Sequence, residues 1–125
     1  MYNAQVIFMT PPSSLNQKFV TQLRRNFSEV IHLPDLESFE VMLHNPAFRF
    51  ELLIADSSLL STSFADSLQS YKIRHADPLL ICVGPYSSEI MHKALHYGFD
   101  EFFAALPGGK QLMKLLQQHQ MKVNK

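Results

Sequence analysis

Acidic residues are missing from the start of the chain: the first 28 residues contain no aspartate or glutamate. The apolar stretch Val6-Ile7-Phe8-Met9 in that region runs into Thr10 and Pro11 without meeting an acid. Cysteine is nearly absent as well. The one thiol, Cys82, sits inside Leu79-Leu80-Ile81-Cys82-Val83. That excludes a disulfide framework and reads as a buried thiol in a reducing compartment, so a cytoplasmic location is expected. Net charge is also absent, with eleven Lys and Arg against eleven Asp and Glu. No field of one sign covers the whole domain, and neither nucleic acid nor an anionic membrane is expected as a partner. No apolar run approaches the roughly 20 residues needed to span a bilayer. The N-terminus lacks the charged and apolar regions of a signal peptide.

What is present suits one compact domain over residues 1–125, with 46% apolar residues to build a core. Apolar runs lie at Ala4–Met9, Phe50–Ala55, Leu79–Val83 and Phe102–Leu106, with a weaker one at Glu29–Leu33. Their continuous character predicts strands covered on both faces, as in a parallel sheet. Helical patterns fill the gaps. Ser13 or Ser14 can cap a first helix with Leu15, Phe19, Leu23 and Phe27 on one face. Asp35 caps a second, carrying Leu36, Phe39, Met42 and Leu43 inward and stopped by Asn45-Pro46. A third starts near Ser61–Ser63 and carries Phe64, Leu68 and Tyr71. A fourth starts at Ser87 or Ser88, turns Ile90, Met91, Ala94 and Leu95 inward, and stops at Gly98. The last follows Pro107-Gly108-Gly109 with Leu112, Leu115 and Leu116 inward, and a polar tail from about residue 117 is expected to fray. Strictly alternating strands and helices predict a doubly wound α/β domain whose crevice lies at the carboxyl ends of the strands.

Two stretches carry a family likeness. Phe50-Glu51-Leu52-Leu53-Ile54-Ala55-Asp56 delivers a carboxylate to the end of the third strand. Ala94-Leu95-His96-Tyr97-Gly98-Phe99-Asp100-Glu101-Phe102-Phe103 has the form of a fourth-helix end leading into a fifth strand. With five βα units, the whole chain resembles the response-regulator receiver domain of the CheY-like superfamily. The resemblance implies a flavodoxin-like (βα)5 sheet of order 2-1-3-4-5, with Asp56 as the phospho-acceptor and Phe102 as the switch aromatic. It also marks what is gone. The acidic pair that holds Mg²⁺ in receivers is replaced by Met9 and Thr10, or by Thr10 and Pro11 if the register slips by one, and neither register restores a carboxylate. The hydroxyl residue that ends the fourth strand is replaced by Val83, and the lysine after the fifth strand by Ala105. Phosphoryl transfer places charge on three oxygens that metal and cations must neutralise, and each lost contact costs on the order of 3 kcal/mol. The expected protein is therefore a degenerate pseudo-receiver. Mg²⁺ binding is lost or very weak, no other cofactor is required, and Asp56 is vestigial.

Such a module would work in two-component or phosphorelay signalling by docking a protein partner. The resemblance places that face on the fourth helix, fifth strand and fifth helix, with Met91, His92, His96 and Tyr97 in contact and a homodimer as one use of the surface. Two other readings stand beside it: an atypical response regulator still phosphorylated at Asp56, and a flavin- or nucleotide-binding domain on the same fold. For the latter, Thr10-Pro11-Pro12-Ser13-Ser14 is a faint echo of a phosphate loop, and Pro107-Gly108-Gly109-Lys110 lacks the spacing and position of one. His92 and His96 are four residues apart but have no completing carboxylate, so no metal is assigned to them. His32 and His44 have no placed partner, so no enzymatic activity is expected. Lys18, Arg24 and Arg25 give the first helix a basic face.

Overall fold

Residues 2–11, 17–75 and 77–123 are described by the computed structural model. Strands and helices alternate along the chain. The strands are β1 (Tyr2–Met9), β2 (Phe27–Leu33), β3 (Leu52–Asp56), β4 (Leu79–Val83) and β5 (Glu101–Phe103). The helices are α1 (Gln17–Asn26), α2 (Leu36–Leu43), α3 (Thr62–Arg74), α4 (Ser88–His96) and α5 (Gly109–Val123). All pairings are parallel, in the order β2-β1-β3-β4-β5. This is the flavodoxin-like doubly wound sheet that the strand–helix alternation and the resemblance imply.

The continuous apolar runs hide a period of two. Ile7, Met9, Leu53, Ala55, Leu80 and Cys82 face one side, where α2, α3 and α4 cover them with Phe39, Phe64, Leu68 and Ala94. Val6, Phe8, Leu52, Ile54, Leu79 and Ile81 face the other, under Phe19, Val20 and Leu23 of α1 and Leu112 and Leu116 of α5. Each fully buried Leu or Ile contributes about 1.5–3 kcal/mol by leaving water. Tyr71 anchors the first layer. Its ring stacks on Phe50 at 4.2 Å, its hydroxyl accepts from the Phe50 N–H (2.9 Å), and it donates to the Phe50 carbonyl (3.3 Å).

Helix starts follow the cap residues. Asp35 Oδ1 accepts from Ser38 N–H (2.8 Å), Ser61 Oγ from Phe64 N–H (3.1 Å), and Ser87 Oγ from Ile90 N–H (3.4 Å). Gly98, at φ 99°, takes the left-handed turn after α4 that other residues avoid. Ser13, Ser14 and Leu15 lie outside the described residues.

Four expectations are corrected. Phe27 does not continue α1: it opens β2 opposite Tyr2, the rings meeting edge to face at 6.1 Å. Its burial satisfies the helical period and the strand alike, so spacing alone misassigned it. β5 is three residues long, and Ala104 and Ala105 turn out into solvent. Leu95 is not inward but 46% exposed, because α4 buries only the stripe through Ala94. The segment from residue 117 is helical as far as it is described: α5 runs to Val123. His119 Nε2–H donates to the Asp77 carbonyl (3.1 Å), and Tyr2 donates to Gln120.

Those last contacts also place α5. Its first residue abuts Asn26 so closely that a Cβ on Gly109 would lie 2.2 Å from Asn26 Nδ2. Asn26 precedes β2, Tyr2 starts β1 and Asp77 precedes β4. Both ends of α5 therefore sit at the amino-terminal edge of the sheet, away from the carboxyl-edge crevice.

Candidate functional site

The strand registers assemble the carboxyl edge. Met9 pairs with Ala55, so Thr10 comes beside Asp56; Asp56 pairs with Val83, and Val83 with Phe103, which leads to Ala105. Thr10 and Val83 thus flank the end of β3, and Ala105 follows β5 two strands away. Their side chains are another matter. Met9 is fully buried in the core under α2 and α3. Thr10 is 3% exposed, and its carbonyl accepts from His32 Nε2–H (2.9 Å), tying β1 to β2. Val83 packs, half-buried, with Phe103 and Leu106 on the α1–α5 side. Ala105 faces solvent.

Asp56 is half-buried, and one of its carboxylate oxygens is engaged locally. Oδ1 accepts from Ser58 N–H (2.9 Å), capping a 3-10 turn over Ser57–Leu59. Asp-Ser-Ser is a turn signature that could have announced this use. Ser57, next along, leans over the end of β4: a Cβ on Gly84 would come 2.0 Å from Ser57 Oγ and 2.7 Å from its Cβ. Nothing in the pattern of apolar runs pointed to that contact. Among the described residues Asp56 has no ion-pair partner; the salt bridge seen joins Lys72 and Asp77 (3.6 Å) at the opposite edge. Beneath Asp56, burial pushes the Cys82 thiol up to about 12, and the Asp56 charge adds to the shift.

Among the described residues, no three His, Cys, Asp or Glu side chains gather where they could hold a metal ion. Surface hollows of about 550, 610 and 390 Å3 lie between α5 and the β4–β5 amino ends, between α2 and α3, and between α3 and α4. None is lined by Thr10, Asp56, Val83 or Ala105. No described helix is long and apolar enough to cross a membrane.

On α4, His92 and His96 are exposed, Met91 and Tyr97 half-buried, and Leu95 stands among them. Phe102 and Phe103 fall on opposite faces of β5, each half-buried; Phe102 packs in the same layer as Tyr97, Leu59 and Leu60. Tyr86, 68% exposed, projects from the loop between β4 and α4. Tyr86 was not singled out from the sequence, and Leu95 was read there as a core position rather than a surface one.

No family model matches the sequence, and no curated protein matches it. Solved structures do. The chemotaxis response regulator CheY4 of Vibrio cholerae matches with a TM-score of 0.71 at 17% identity, over 92% of this chain and 97% of that one. The receiver domain of a sensor histidine kinase from Pseudomonas aeruginosa, whose structure has a magnesium ion coordinated in its active site cleft, matches at 0.67 and 13% identity, covering 93% and 96%. A CheY-like protein, TadZ, also from Pseudomonas aeruginosa, matches at 0.60 and 15% identity, covering 91% of each chain. The fold is that of the CheY-like receiver domains.

Proposed function

We propose that this chain is a receiver-like signalling module that works without phosphorylation, by docking a protein partner. The observation that carries this reading is the state of the carboxyl edge. Asp56 caps its own turn, and the residues brought around it supply no second carboxylate and no ammonium. A hard cation such as Mg²⁺ wants several oxygen ligands with more than one carboxylate, and this donor set does not fit it. Without cation or lysine, a phosphoryl group arriving at Asp56 would meet no charge to stabilise it.

The docking surface runs over α4 and the open edge of β5. Leu95 supplies an exposed apolar contact, His92 and His96 are exposed on the same helix, and Tyr97 and Phe102 are half-buried against the adjoining core. An exposed apolar side chain with a polar rim is the form that protein interfaces use. This reading rests the surface on α4 and β5, since α5 lies along the amino-terminal edge.

The test is an amide NMR titration with Mg²⁺ and beryllofluoride, which mimics a phosphoryl group on aspartate. The amides of Asp56, Ser58, Gly84 and Phe102 are expected to stay in place. A saturating shift of all four together would overturn the proposal and make the chain a regulator phosphorylated at Asp56.

A further inference from the structure

The zero net charge conceals a strong segregation. All eleven acidic residues lie between Glu29 and Glu101, whereas seven of the eleven Lys and Arg lie outside that span. The fold brings together α1 and α5, which carry six of those seven, because the two helices pack against each other on one side of the sheet. Asn26, the last residue of α1, touches Gly109, the first of α5. Arg24 and Arg25 in the last turn of α1 and Lys110 in the first turn of α5 thus flank the point where the two helices touch. Lys114 follows one turn on, and Lys18 lies back along α1. All five are exposed, and neither helix contains a carboxylate. Lys122, at the far end of α5, shares a hollow with Asp77, Asp100 and Glu101, which offset it. The basic field is thus centred on the α1–α5 junction.

Helix stability explains only part of this. Arg24 and Arg25 favour the carboxyl end of α1, but Lys110 opposes the dipole at the start of α5, where no acid compensates it. The rest of the surface narrows the class of partner. Gln22, Gln111 and Gln117 are exposed between the cations, and each offers amide donors. Met121 is the one large apolar side chain exposed on these helices among the described residues. A protein partner would want aromatic or aliphatic anchors, and a membrane surface would want an apolar face to insert. A phosphodiester backbone wants neither: it is held by Lys and Arg with help from neutral donors.

We propose that the α1–α5 face binds the phosphate backbone of a nucleic acid, without reading its bases. The surface is independent of α4 and of Asp56, so it stands or falls apart from the signalling reading above.

The experiment is fluorescence anisotropy of the full chain with labelled duplexes of about 20 base pairs, one DNA and one RNA, from about 50 to about 200 mM salt. Binding is expected to weaken with salt at a log–log slope of about −4, as four or five displaced counterions require. Arg25→Glu with Lys110→Glu is expected to weaken it about tenfold or more, while Arg74→Glu on the opposite layer changes it less than about twofold. The milder pair Arg25→Gln and Lys110→Gln, checked for native circular dichroism, guards against misfolding and should show a smaller loss of the same sign. The duplex bound more tightly identifies the source of the backbone. Absence of saturable binding to both duplexes at the lowest salt would overturn the proposal. So would equal weakening by Arg74→Glu. Tighter binding to polyglutamate, or to vesicles containing phosphatidylglycerol, would overturn it in favour of an acidic protein or a membrane.

Discussion

Gly84 has no side chain because Ser57 occupies the place where one would go. A Cβ there would lie 2.7 Å from Ser57 Cβ, too close for a rotamer change of the hydroxyl to relieve. Gly84→Ala should therefore shift the turn after β3 and cost about 1–3 kcal/mol, as overpacking does. Urea denaturation measures this, and a Ser57→Gly change in the same chain should recover most of it through coupling of the two sites. A neutral Gly84→Ala single variant would show that the contact relaxes freely. Asp56 belongs to the same small unit. Its carboxylate holds the turn that carries Ser57, so an acid that the sequence marks as a phospho-acceptor is, at the scale of its own contacts, a cap. The residue and its place at the end of β3 were legible. Its hydrogen bond was not, because that depends on how the next two residues turn.

Among the elements, α5 departs furthest from expectation. Its residues beyond Leu116 are mostly polar, and that composition alone suggests a loose end. Three contacts hold it: Asn26 against Gly109, His119 to the Asp77 carbonyl, and Tyr2 to Gln120. Removing residues 117–125 should cost about 1–3 kcal/mol, the worth of two hydrogen bonds and the helix they hold. The urea midpoint checks it; an unchanged midpoint would return that segment to the status of a frayed tail. The boundary between α1 and β2 was misplaced for a related reason. Phe27 lies four residues after Leu23 and also pairs with Tyr2 across the sheet, so period and burial agree on it while its backbone obeys the sheet. The caps Asp35, Ser61 and Ser87 were legible because a cap is a contact between residues three apart.

At the scale of the whole molecule, the sheet is closed off on both faces, and Cys82 sits at its centre, fully buried. With its thiol pushed up to about 12, on the order of one molecule in 10⁴ would carry a thiolate at pH 8. A thiol reagent should label the native protein hardly at all, and labelling should rise with denaturant in step with loss of circular dichroism. Rapid labelling in native buffer would mean that β4 opens locally. The sequence by itself determined the class of fold. Continuous apolar runs demanded strands covered on both faces, the segments between them carried helical periods with caps, and alternation of the two left a doubly wound parallel sheet as the economical solution. It also determined that Asp56 would end the third apolar run; that Thr10 and Val83 lie beside it follows from the strand order and register, which the resemblance implied and the structure shows. Only the tertiary structure decided which faces are free. Leu95 is exposed because α4 rolls on Ala94, and the basic ends of the chain meet because α1 and α5 share one side of the sheet. Those are contacts between residues far apart in the chain, and local period and composition carry no information about them.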